Sequence, residues 1–115
     1  MKESDKQGGL SNAECAEVLR AMGNETRLSI LRALFERERS VSELCEALSL
    51  EQHFASRHLA VLRHAGLVRT CRDAQRVIYS LHPSVRNDLA GNGAINLGCC
   101  ELRFPSDDLG ADPSA

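Results

Sequence analysis

The sequence predicts a mainly α-helical chain with one small β-hairpin, and three observations carry that expectation. Apolar residues recur at helical spacing through Ala65, the period shortens to that of strands between Leu67 and Leu81, and a turn or capping residue stands at each change. Ser11 with Glu14 three residues later forms a capping box, after which Cys15, Val18, Leu19 and Met22 repeat helically until Gly23. Asn24 caps a second helix whose stripe is Leu28, Leu31, Leu34 and Phe35 and which ends in the charged stretch Glu36 to Arg39. Ser40 to Ser42 is expected as a short extended link, with Ser42 capping a brief helix over Glu43 to Leu48. A longer helix is expected from about Glu51 to Ala65, with Phe54, Leu59, Val61, Leu62 and Ala65 apolar and Gly66 as its stop. Leu67 to Arg72 and Arg76 to Leu81 are rich in Val, Ile, Thr and Tyr and form a hairpin through Asp73-Ala74-Gln75. His82-Pro83 closes it, and Pro83 to Ala90 forms one or two helical turns, because Gly91, Asn92, Gly93 and Gly98 argue against a long final helix.

Size and composition bound the molecule. At 115 residues the chain is one domain, able to bury about two-thirds of its unfolded surface. Its 43% hydrophobic and 26% charged residues match an ordinary globular protein. A flexible N-terminus over 1–10, a folded domain over 11–104 and a disordered tail over 105–115 are expected from the polar ends. No apolar run approaches the roughly 18 residues of a membrane span and the start lacks a signal-peptide core, so a cytoplasmic chain without membrane contact is expected. Five cysteines without an export signal favour thiol chemistry or soft-metal binding over a disulfide framework. No Ser-His-Asp order, catalytic carboxylate pair or Gly-rich phosphate loop is present, and no enzyme is expected.

The formal net charge of -2 conceals a basic segment. Between Gln52 and Arg76 stand Arg57, Arg63, Arg69, Arg72 and Arg76 against Asp73 alone, a local charge of +4. Such concentration is the footprint of phosphate contact, and equally of a solvated face. Element order separates the two. A short helix, a three-residue turn, a second helix with polar early positions and an arginine-tipped hairpin make a winged helix-turn-helix. In that architecture the second helix enters the major groove of DNA and the hairpin reaches the backbone or minor groove. Gln52, Ser56, Arg57 and His58 are therefore the expected contacts on the helix, with Arg57 suited to guanine and Ser56 or His58 to phosphate. Arg72 and Arg76 flank the wing turn and are expected on phosphate.

The blocks Asn24-Glu-Thr-Arg-Leu-Ser-Ile-Leu-Arg-Ala-Leu, Val41-Ser-Glu-Leu-Cys, Ser56-Arg-His-Leu-Ala-Val-Leu-Arg-His-Ala-Gly-Leu-Val and Arg76-Val-Ile-Tyr-Ser-Leu resemble the ArsR-type (ArsR/SmtB) metalloregulatory repressors over about residues 11 to 104. The resemblance implies a homodimeric winged-helix repressor that leaves double-stranded operator DNA when a metal or metalloid binds. It also implies dimerisation through the first and last helices, for which Val18, Leu19 and Met22 with Leu89, Ile95 and Leu97 are the apolar residues available.

Two sites common in that family are incomplete here. The thiol box on the short helix keeps Cys45 but has Ala47 at its second cysteine, and the final-helix zinc set is reduced to Asp88 with no following His. The remaining candidate is Cys99-Cys100. Adjacent Cα atoms lie about 3.8 Å apart, below the usual disulfide window, so the two thiols stay available to chelate a soft centre such as trivalent arsenic. Arsenite or an organic arsenical is thus the expected inducer, with no permanent cofactor. Cys15 is the candidate third ligand, because in the family the first helix packs beside the C-terminal segment; it also fits a small buried hydrophobe. Two alternatives stay open: a thiol redox or persulfide sensor of the same fold, pairing Cys45 or Cys71 with a C-terminal cysteine, and a winged module that docks on protein.

Overall fold

In the computed structural model, which describes residues 11–97 and 100–104, five helices surround a three-stranded antiparallel sheet and a second, two-stranded one. The expected flexible start and tail lie outside the described residues. Helix α1 (Asn12–Met22) begins at the capping box, with Ser11 Oγ accepting from Glu14 N at 3.2 Å and Ser11 N donating to Glu14 Oε1 at 2.9 Å. Cys15, Val18 and Met22 turn inward at helical spacing. Helix α2 (Glu25–Glu36) starts where Asn24 Oδ1 accepts from Arg27 N at 3.0 Å and buries Ile30, Leu31 and Leu34 completely. Arginines from elsewhere satisfy its last carbonyls. Arg39 Nε donates to Ala33 O, while Arg86 donates to Leu34 O at 2.7 Å and Phe35 O at 3.2 Å.

Strand β1 (Arg39–Ser40) pairs with a later strand, and that pairing corrects the expected helix start. Helix α3 (Val41–Leu48) is capped by Ser40 rather than Ser42: Ser40 Oγ accepts from Glu43 N at 3.2 Å and Ser40 N donates to Glu43 Oε1 at 2.8 Å. Both serines could cap; β1 sets Ser40 in the extended backbone that a cap needs. Ser49, at φ 58, turns the chain toward helix α4 (Gln52–His64), whose first turn is held by the Glu51 carboxylate accepting from Phe54 N at 3.1 Å.

The wing is strands β2 (Val68–Asp73) and β3 (Arg76–Leu81), and the sheet order is β1-β3-β2. Asp73 pairs with Arg76, so the turn is the two residues Ala74 and Gln75, and Ala74 takes the left-handed φ of 62. Helix α5 (Pro83–Asn92) is capped by His82, whose Nδ1 accepts from Ser84 N, with Pro83 in its first turn. At ten residues it outruns the expected one or two turns before Gly93 ends it at φ 72. A hairpin absent from the sequence reading follows: β4 (Ala94–Asn96) and β5 (Glu101–Arg103), with Ile95 opposite Leu102. Ile95, Leu97 and Phe104 from this segment are buried in the same core as α1, and the Arg32 guanidinium lies over the Phe104 ring at 5.4 Å.

Closure of that hairpin changes the expected dimer surface. Val18, Met22, Leu89, Ile95 and Leu97 are all buried within their own chain, and of the six residues only Leu19, 41% exposed, faces outward. The C-terminal segment joins the core that α1 shares, with Leu97 O 3.6 Å from Cys15 Sγ.

Candidate functional site

The candidate chemistry lies at two loci, the exposed flank of α4 with the wing and the junction of α1 with the C-terminal hairpin. Along α4 the fully buried positions are Ala55, Leu59 and Leu62, an i, i+4, i+7 row directed at the core. The expected phase was off by one residue at the start, since Phe54 is 46% exposed and Ala55 occupies the inward position. The row that includes Leu59 and Leu62 decides the phase, and one turn earlier it falls on Ala55. Val61, also an apolar position of this helix, is exposed as well. Gln52, Ser56 and Arg57 are exposed, as a reading face requires, and so are Arg72 and Arg76 on the wing. The Arg76 guanidinium stands 3.6 Å from the Glu43 carboxylate, which ties the wing to the start of α3.

His58 differs from the other expected contacts because it is half-buried and held by protein. Arg27 reaches it at 3.1 Å from NH1 to Nδ1. Arginine only donates, so Nδ1 is the acceptor and the neutral ring carries its proton on Nε2. Burial, then the Arg27 and Arg57 charges, hold the His58 pKa below its ordinary value. The ring is therefore favoured in its neutral form. Arg27 also donates to Ala21 O and Arg20 O, the last carbonyls of α1. One guanidinium thereby fastens the end of α1, the start of α2 and the reading helix together. The one sequence signal for this was a cation in the first turn of α2, where the helix dipole disfavours it. The chain continues outward: the Phe54 ring meets His58 edge to face, with centroids 4.5 Å apart and planes at 87°.

At the second locus Cys15 is 3% exposed and its Sγ lies 3.6 Å from Leu97 O, across 82 positions of sequence. Leu97 N donates to Cys100 O at 2.8 Å, and Cys100 is exposed. The structure thus brings Cys15 against the segment that runs into the cysteine pair; Cys99 lies outside the described residues. Cys15 takes part in a disulfide, whereas Cys45 on α3 and Cys71 on β2 carry free thiols. Among the described residues, no group of three or more His, Cys, Asp or Glu is placed to hold a metal ion. Asp88 has a structural task, accepting from Asn96 N at 3.0 Å and so joining α5 to β4. A cavity of about 640 Å³ opens beside this junction, lined by Glu17, Val18, His64, His82, Ile95 and Leu97 among others.

Among the described residues no helix is long and apolar enough to cross a membrane. The family described as bacterial regulatory protein, arsR family, matches residues 24–70, which run from the cap of α2 into the wing. The transcriptional activator HlyU of Vibrio cholerae is 48% identical over 71 residues, covering 62% of this chain and 66% of that protein. The regulator KmtR of Mycobacterium tuberculosis is 45% identical over 65 residues, 56% of this chain and 50% of that one. The chain thus spans about half to two-thirds of the length of these curated relatives. Among solved structures, reduced HlyU of Vibrio cholerae is 44% identical with a TM-score of 0.59, covering 71% of this chain and 82% of that one. A homodimeric winged helix-turn-helix DNA-binding domain from Mycobacterium bovis is 30% identical with a TM-score of 0.64, over 71% of this chain and 82% of that one. Sequence, winged fold and coverage agree, and the chain belongs to the arsR family of bacterial regulatory proteins.

Proposed function

We propose that this protein is a transcriptional repressor that binds operator DNA as a homodimer and is released when trivalent arsenic is bound by the thiolates of Cys99 and Cys100, with Cys15 as third ligand. The observation that carries the reading is the seat of Cys15. Its sulfur is buried against Leu97 O, two residues before the pair, on the helix whose far end is fastened to the reading helix. Three thiolates satisfy trivalent arsenic, two a monomethylated form, and soft sulfur ligands select such a centre over oxygen-preferring ions. Reduced Cys15 is needed for this, so the disulfide state is one that arsenic does not enter.

The DNA part is supported by Gln52, Ser56 and Arg57 exposed on α4, by Arg72 and Arg76 on the wing, and by the relatives' names as transcriptional regulators. A duplex bound by a dimer with two such faces loses affinity by about 0.9 log units per log unit of salt for each phosphate neutralised. Coupling follows linkage, in which inducer and DNA weaken each other by the same factor. The path lies in Arg27: a shift of α1 on ligation at Cys15 moves the Arg20 and Ala21 carbonyls that Arg27 grips, and with them His58.

The disulfide at Cys15 favours a second reading, in which peroxide oxidises two thiols to the disulfide, is itself reduced to water, and so switches the same junction. The pair is then Cys15 with a C-terminal cysteine, in place of the Cys45 or Cys71 pairing expected from sequence. Fluorescence anisotropy of a promoter duplex with reduced protein distinguishes them. Release by arsenite or phenylarsine oxide in the wild type, abolished in Cys99→Ser and Cys100→Ser, supports the arsenic reading. Unchanged release in both variants overturns it, and release by peroxide alone selects the redox reading.

A further inference from the structure

We infer that Phe54 is a specificity residue that reads a thymine in the major groove through its C5-methyl group. The inference rests on the DNA-binding reading above. Phe54 is the third residue of α4, in the N-terminal turn that a helix of this architecture presents to base edges, and its side chain is 46% exposed. Its exposure is not a failure of packing, since Ala55, Leu59 and Leu62 complete the inward row without it. The ring is also held in place. Its backbone N–H is bound by the Glu51 carboxylate at 3.1 Å, and its face or edge is set by His58 at 4.5 Å. His58 is fixed in turn by Arg27, which is anchored on α1 carbonyls. A phenyl ring seated against a fixed imidazole, on a capped first turn, and left in water has the pre-organisation of a contact residue.

Chemistry selects the partner. Each base edge in the major groove shows hydrogen-bond donors or acceptors, and only thymine adds a methyl group. Phe54 can neither donate nor accept, so against guanine, adenine or cytosine it desolvates a polar edge without replacing its bonds. Against thymine it buries one methyl. Gln52 and Arg57, exposed on the same two turns, remain free for neighbouring hydrogen-bonded readout.

The test uses the full-length protein and a duplex that it selects from a random-sequence pool, with each thymine replaced in turn by deoxyuridine, which lacks only the methyl. The wild type is expected to lose about fourfold in affinity at one symmetric pair of positions, the worth of one buried methyl. Phe54→Ala should bind the thymine and deoxyuridine duplexes equally there while keeping its fold and oligomeric state. If the wild type binds DNA but discriminates at no thymine, or the variant still discriminates, the inference is overturned and DNA binding stands. A variant that changes oligomeric state without changing discrimination assigns Phe54 to a protein contact and also overturns it. Selection of no duplex by the wild type overturns the DNA-binding reading itself.

Discussion

Replacing Arg27 with methionine tests the junction on which the proposed coupling turns. Met preserves most of the aliphatic volume and removes three hydrogen bonds, to Ala21 O, Arg20 O and His58 Nδ1. A hydrogen bond from a charged donor is worth roughly 1.5–3 kcal/mol in buried settings. This side chain is only partly buried and its contact to Arg20 O is exposed, so water recovers much of the loss. The expected destabilisation is about 2 kcal/mol, near 8 °C in Tm for a domain of this size. A second readout is specific to the contact. Burial, the largest cause of the lowered His58 pKa, remains in the variant, while the Arg27 charge is gone. His58 should therefore titrate higher than in the wild type but still below an ordinary histidine, as followed by its ring carbon protons in NMR. In anisotropy titrations the variant should bind the promoter duplex more weakly, and the ratio of affinities with and without arsenite should shrink toward one. Stability within 0.5 kcal/mol of wild type, on the scale of a neutral surface change, together with an unmoved His58 titration, would refute the clamp. An unshrunk arsenite ratio in a variant that is destabilised would refute only the path.

Three further outcomes are expected. Because the His58 pKa is lower in the folded chain than in the unfolded one, the unfolded state takes up the proton first; the contribution to stability is full above about pH 6.5 and is lost as pH falls through the folded value. Urea midpoints across that window should fall less with acidification in His58→Gln than in the wild type, and parallel curves would contradict the assignment. On the wing, Arg72→Ala and Arg76→Ala should each flatten the salt dependence of DNA binding by about 1.8 log units per log unit, one phosphate for each of the two wings of a dimer, and Glu43→Gln should raise affinity by releasing Arg76 from its 3.6 Å ion pair while Gln still completes the Ser40 capping box. An unchanged salt slope would remove the wing from phosphate. Ala74→Gly relieves a left-handed φ of 62 that costs an L-residue roughly 1–2 kcal/mol, partly offset by glycine's freer unfolded state, so chemical denaturation should show a net gain of about 0.5–1 kcal/mol, and a loss would show that the turn is unstrained.

What could be read from the sequence follows the range of the interactions involved. The Ser11–Glu14 box, the Asn24 cap and the Gly66 stop are decided within a few residues and stand where the pattern placed them, and the wing hairpin does so apart from Asp73, which joins β2 and shortens the expected three-residue turn to two. The choice of Ser40 over Ser42 was settled instead by β1 pairing with β3, nearly forty residues away, as Arg39 faces Tyr79 and Ser40 faces Ile78. The C-terminal hairpin was hidden for the same reason. Its three-residue strands have no period to detect, and Gly91 and Gly93 look only like helix breakers. Burial of Ile95, Leu97 and Phe104 in the common core stabilises the pairing, and that surface exists only once the rest has folded.

The arginines show the same limit inside the candidate site. Composition marked the stretch from Gln52 to Arg76 as basic and placed Arg57, Arg72 and Arg76 in solvent, where the structure also has them. Arg27, Arg39 and Arg86 look no different in sequence, yet each spends its guanidinium on helix-terminal carbonyls, and Arg39 is nearly buried. An arginine bound to backbone cannot neutralise a phosphate, so local charge overstates the surface offered to DNA wherever helix ends lie nearby. The cations drawn onto backbone join α1, α2, α4 and α5, while Arg57, Arg63, Arg69, Arg72 and Arg76 stay outside along the reading helix and the wing, as Arg20, Arg37 and Arg103 do elsewhere. The division separates a rigid frame, able to transmit a shift begun at Cys15, from the surface on which such a shift would be felt.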